Sequence, residues 1–110
     1  MITGIGVDIV KIKRFTKINP RFMQRVFTDY EREYVKSKGD NERTMAGLFA
    51  AKEAVVKAMG TGFKNFWPNA IEILHDENGI PYVSLEGKTV HVSITHNETD
   101  AVAFAVISQK

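Results

Sequence analysis

Along this 110-residue chain the apolar positions recur first at strand spacing, then at helix spacing, then at strand spacing again. Residues 2 to 10, ITGIGVDIV, alternate loosely and are rich in Ile and Val, which predicts a strand buried enough to make the charge of Asp8 conspicuous. A carboxylate in such a place needs a partner. Short helical turns follow from about 11 to 26, with Pro20 at a first helical position. TDYEREYVKSK then opens with Thr28 and Glu31 at capping-box spacing and predicts a helix over 29 to 37, broken by Gly39-Asp40-Asn41. From Glu42 to Met59 the apolar residues recur at 45, 48, 49, 55, 56 and 59, the spacing of an amphipathic helix, and Gly60 and Gly62 supply a flexible exit.

The second half changes period. AIEILHD, PYVSLEG, VHVSITH and AVAFAVI read as four strands, the first two joined at DENGIP, where Asn78-Gly79 signals a tight hairpin turn. Helices on one side of a mostly antiparallel sheet make an α+β fold, and residues 1 to 110 are expected to form a single domain. No internal repeat or low-complexity segment interrupts it.

Composition narrows the chemistry. With 44% hydrophobic and 25% charged residues the chain can bury one core of its own. No run approaches the roughly 18 apolar residues of a membrane span, and MITGIGVDIV lacks the basic start of a signal peptide, so a cytoplasmic protein with no membrane partner is expected. Zero cysteines exclude disulfides and thiolate metal sites, which leaves oxygen-loving ions such as magnesium as the leading metal. A net charge of +2 is too small for a dedicated nucleic-acid binder. Its distribution says more, because Lys11, Lys13, Arg14, Lys17, Arg21 and Arg25 follow one another with no acid between them.

FAAKEAVVKAMGTG, residues 49 to 62, sets Lys52, Glu53 and Lys57 in a helix otherwise made of small or apolar residues. Glu53 and Lys57 lie one turn apart at the edge of the apolar stripe. Taken alone they are an ordinary surface ion pair. Two features favour a site instead: the surrounding face is alanine (Ala46, Ala50, Ala54), open to close approach, and Asp8 offers a second carboxylate on a strand that packs nearby. Two carboxylates without a thiol suit magnesium, which is typically held by one or two carboxylates plus substrate phosphates. Lysine one turn along suits a phosphate oxygen. Lys52 falls in the middle of the apolar stripe, where a snorkelling stem and a phosphate contact are both open readings. Gly-Thr-Gly is a plain helix exit or a phosphate-facing turn, and lacks the spacing of a P-loop.

Together GIGVDIV, FAAKEAVVKAMGTG and VHVSITH resemble the holo-[acyl-carrier-protein] synthase family, the small bacterial type of 4'-phosphopantetheinyl transferase, in the expected order and across essentially the whole chain. The resemblance implies transfer of phosphopantetheine from coenzyme A to a serine of apo acyl carrier protein, with release of adenosine 3',5'-bisphosphate. By position, it makes Asp8 and Glu53 the magnesium ligands, Lys57 the partner of the departing phosphate, and Lys52 a further coenzyme A contact, while a carboxylate such as Glu53, directly or through a metal-bound water, would take the serine proton. Gly60, Gly62, Pro81, Thr95 and His96 would border the coenzyme A pocket. Family members are typically trimers with active sites between protomers, so His96 would serve a neighbour's site. Carrier proteins are acidic, and Arg14, Arg21 and Arg25 match the carrier-docking region.

Two departures stand out: Leu48 where the family often has arginine, and Asn97 where threonine often follows the histidine. Segment 36 to 43 is also short for the family. Rival readings are a non-catalytic binder using the basic run on RNA or an acidic protein, and a hydrolase cleaving pyrophosphate bonds with the same metal site.

Overall fold

The structure, a computed structural model, describes residues 1–60, 68–85 and 87–109. Five strands form one sheet: β1 (Ile2–Lys11), β2 (Leu74–His75), β3 (Pro81–Leu85), β4 (Lys88–His96) and β5 (Asp100–Ser108), in the order β1-β5-β4-β3-β2. Every neighbouring pair is antiparallel. Three helices accompany it, α1 (Pro20–Val26), α2 (Asp29–Ser37) and α3 (Glu42–Met59). None of them is long and apolar enough to cross a membrane.

The helix starts follow the local chemistry read above. Asn19 accepts from the Phe22 amide at 2.8 Å ahead of Pro20 at the first turn of α1. Thr28 Oγ1 accepts from the Glu31 amide and Glu31 Oε1 accepts from the Thr28 amide, a complete capping box on α2. Asn41 accepts from Arg43 at the start of α3, and Gly60 closes it at φ 80°, the left-handed conformation that suits glycine.

Two expectations change. The strand anticipated over 70–76 shrinks to Leu74–His75, because Pro68–Ala70 is a 3-10 turn and the polar backbone of Ile71 and Ile73 bonds to side chains instead of a neighbouring strand. The turn at Asn78-Gly79 is a three-residue loop: the Gly79 amide donates to the Asp76 carbonyl, the Asp76 amide donates to Ile80, and only Gly79 takes a positive φ.

Helix α3 is not an amphipathic surface helix but the centre of the core. Phe49 meets Phe15 and Phe22 at ring-centroid distances of 5.7 and 6.5 Å on one side. On the other side Ala46, Ala50 and Ala54 are buried with Ala101, Ala103 and Ala105 of β5 in the same core. The alanine face expected to admit a ligand is therefore filled by the protein's own sheet. The closest approach comes from β1: a Cβ added to Gly4 would lie 2.1 Å from the Ala58 carbonyl oxygen, and one on Gly6 2.0 Å from that of Ala54. Alternation along β1 puts Gly4, Gly6 and Asp8 on the helix side and Ile5, Val7 and Ile9 on the other.

Candidate active site at the crossing of β1 and α3

Asp8 is the first residue on the helix-facing side of β1 that carries a side chain beyond the two glycines, and it emerges where α3 presents Glu53 and Lys57. Lys57 Nζ lies 2.8 Å from Asp8 Oδ1 and donates to the Val7 carbonyl at 3.1 Å. The Asp8 side chain is 11% exposed and that of Lys57 55%, so a largely covered carboxylate is paired with a lysine that reaches solvent. The other Asp8 oxygen, Oδ2, is buried with no hydrogen-bond partner. Burial, then the neighbouring Asp8 carboxylate, push the Glu53 carboxyl up to about 7, against the pull of Arg14 and Lys57. The hydrogen bond to Asp8, then the charges of Asp8 and Glu53, hold the Lys57 amine above its ordinary value against partial burial.

Two neighbouring carboxylates, with one oxygen lacking a donor, are a pair whose repulsion a divalent cation would relieve. Among the described residues no third His, Cys, Asp or Glu joins them. That donor set fits magnesium, which keeps waters and takes oxygens from substrate phosphates to fill its shell.

The other anticipated residues fall elsewhere. Pro81 and His96 line a cleft of about 540 Å³ together with Tyr34, Arg43, Leu48 and His75, and Asp8, Glu53 and Lys57 take no part in that lining. Thr95 is exposed beside His96 on β4. Gly60 caps α3, while Gly62 lies outside the described residues. Arg14 stacks its guanidinium 5.3 Å from the centre of the Phe49 ring, close enough to act on Glu53. Arg21 and Arg25 are exposed one turn apart on α1. Leu48, a departure from the arginine often found in the family, is buried, and Asn97 accepts from the amides of Thr99 and Asp100 in the β4–β5 turn.

Lys52 is a correction. It neither snorkels nor reaches a phosphate-facing surface: its side chain and that of Glu31 are 0% exposed, with Nζ 2.6 Å from Glu31 Oε1. The amine also donates to the carbonyls of Pro68, at 2.9 Å, and Ile71. Burial lowers the affinity of this amine for its proton, and Glu31 opposes that. Sequence reasoning gave Glu31 only its capping role. The signal for its second role was Lys52 itself, a cation in an apolar stripe that requires a buried anion. The stacking of His75 on Tyr34, at 3.8 Å between ring centres, had no local signal because the two lie far apart in sequence.

A carboxylate pair and a lysine meeting at one strand–helix crossing are a set of side chains suited to chemistry on phosphate groups, and a separate cleft lies along β4. Residues 4–107 match the 4'-phosphopantetheinyl transferase superfamily. The chain is 47% identical to a holo-[acyl-carrier-protein] synthase of Clostridium botulinum, over 97% of this chain and 98% of that one. It is 42% identical to one of Halothermothrix orenii, over 96% and 97%. Among solved structures, the holo-(acyl-carrier-protein) synthase of Bacillus anthracis in complex with coenzyme A (3',5'-ADP) superposes with a TM-score of 0.88 at 38% identity, covering 100% of this chain and 99% of that one. The Helicobacter pylori enzyme in complex with coenzyme A gives 0.83 at 31% identity, covering 94% and 99%. This chain belongs to the holo-[acyl-carrier-protein] synthase family of 4'-phosphopantetheinyl transferases.

Proposed function

We propose that this chain is a magnesium-dependent holo-[acyl-carrier-protein] synthase that transfers 4'-phosphopantetheine from coenzyme A to a serine of apo acyl carrier protein and releases adenosine 3',5'-bisphosphate. The observation that carries it is the meeting of Asp8, Glu53 and Lys57 at one crossing, in a chain whose relatives bear that name. The serine oxygen forms a bond to the phosphorus on the pantetheine side, and the bond from that phosphorus to the bridging oxygen breaks. The electron pair leaves with the nucleotide. Glu53, directly or through a metal-bound water, takes the serine proton. Lys57, already reaching two oxygens, donates to the departing phosphate. A magnesium ion held by Asp8 and Glu53 would supply positive charge to the pyrophosphate oxygens.

The nucleotide end of coenzyme A goes to the cleft of Pro81 and His96, with Thr95 and Gly60 bordering the coenzyme path. The family resemblance puts the active site between protomers of a homotrimer, an assembly in which the cleft of one chain would meet the carboxylates of a neighbour. A row of exposed apolar side chains on the outer face of the sheet, Ile5 at 62%, Val7 at 52%, Ile9 at 64% and Phe104 at 44%, supports such an assembly. Arg14, Arg21 and Arg25 receive the acidic carrier protein. The reaction serves fatty acid biosynthesis in the cytoplasm, and the one transferase domain runs from 1 to 110.

The test is the intact mass of an apo acyl carrier protein incubated with this chain and coenzyme A, with magnesium and then with chelator. A gain of one phosphopantetheine that chelator abolishes is expected. The same gain under chelator would remove magnesium from the reading. No gain with several carriers would return the basic face to a binding role, and nucleotide release without a carrier would mark a pyrophosphate hydrolase.

A further inference from the structure

The buried pair Glu31–Lys52 joins three parts of the fold that are distant in sequence. Glu31 is on α2, and its Oε2 accepts from the Ile73 amide at 2.7 Å. Lys52 is on α3 and holds the carbonyls of Pro68 and Ile71. Two residues past Ile73 stands His75, whose amide donates to the Tyr30 hydroxyl and whose ring lies against Tyr34, both from α2. His75 pairs with Pro81 across β2 and β3. One ion pair thus ties α2, α3 and the stretch 68–75 together. Tyr34, His75 and Pro81 make one wall of the cleft, facing Leu48 of α3 and Ile94 and His96 of β4.

We infer that Lys52 is a positioning residue: through Glu31 and the carbonyls of Pro68 and Ile71 it sets the Tyr34–His75–Pro81 wall that receives the nucleotide end of coenzyme A, and it does not touch the substrate. The inference rests on the placement of coenzyme A given above. It also explains why a lysine stands in the apolar stripe beside Glu53. A lysine serving a phosphate needs a donor free to reach it, and the three polar partners of this amine among the described residues are internal. An uncharged residue would leave the Glu31 carboxylate buried without a counter-charge, so the two residues are required as a unit.

The experiment compares Lys52→Met, the pair Glu31→Gln with Lys52→Met, and the parent chain. Kinetics at varied coenzyme A are read beside the NMR signals of the His75 ring, which the stacked Tyr34 ring shifts. Lys52→Met is expected to raise KM for coenzyme A about tenfold and leave kcat within about threefold, with the His75 signals displaced. The paired substitution removes the uncompensated charge but leaves the Pro68 and Ile71 carbonyls without their donor, so it should bring KM and the His75 signals part of the way back toward the parent. A paired variant with parental His75 signals and an undiminished rise in KM would mean that Lys52 meets the substrate directly, and the inference falls. Unmoved His75 signals in folded Lys52→Met overturn it as well. If Lys52→Met alone does not fold, the paired variant against the parent decides the same question. A parent that transfers no phosphopantetheine would sink the enzymatic reading, and the His75 signals would still decide whether Lys52 sets the wall.

Discussion

Replacing Glu53 with glutamine should lower the rate of carrier modification by roughly two to four orders of magnitude, the range carried by a general base, and more if metal binding fails with it. The swap keeps size and shape, so far-UV circular dichroism should match the parent. Near-full activity with magnesium present would remove Glu53 from the mechanism. A second readout needs no substrate. In the metal-free chain the folded-state value of Glu53 is raised from 4.5 to about 7. The folded state therefore binds more protons than the unfolded one between those values, and metal-free stability falls as pH rises from 4.5 to about 7. Glutamine does not titrate. Metal-free Glu53→Gln should accordingly melt above the parent at pH 8, with the difference fading as pH drops below 4.5. A parent and variant that keep the same gap at both ends would show that neither burial nor the Asp8 carboxylate raises the Glu53 carboxyl.

Gly6→Ala is the expected structural counterpart. The new methyl carbon would lie 2.0 Å from the Ala54 carbonyl oxygen and 2.8 Å from the Ala58 amide nitrogen, backbone atoms that no rotamer change can move. Either β1 or α3 must shift, at a cost of about 3 kcal/mol or more, the upper end of overpacking penalties. Urea unfolding should show a lower midpoint with an unchanged slope. Because Asp8 lies two residues further along the same face, activity should fall with stability. A variant within about 0.5 kcal/mol of the parent would mean that the crossing is looser than its geometry says.

Much of this fold was legible because its signals are local. Thr28 and Glu31 announced α2, and the apolar recurrences between Asn41 and Gly60 announced α3 to its ends. The meeting of the carboxylates with Lys57 was legible for a related reason: one helical turn joins Glu53 to Lys57, and a charged Asp8 in an Ile- and Val-rich strand had to meet something. What stayed hidden was non-local. The alanine face looked open because periodicity shows which residues are small and not what fills the space they leave. Its occupant, β1 with Gly4 and Gly6, is contributed from the other end of the chain. In the same way Ile71 and Ile73 carry strand-forming side chains, but their backbone is claimed by Lys52 and Glu31, which no pattern within 70–76 reveals. The wall of Tyr34 and His75 likewise depends on how α2 docks against the stretch before β3.

The separation of the carboxylate pair from the Pro81–His96 cleft on a single chain has a genetic consequence. If neighbours share each active site, a chain disabled at Asp8 and a chain disabled at His96 are inactive for different reasons. Mixed after dissociation, or expressed in one cell, the two alleles rebuild some boundaries in which both contributions are intact. A heterozygote of two null alleles would then live where neither homozygote does.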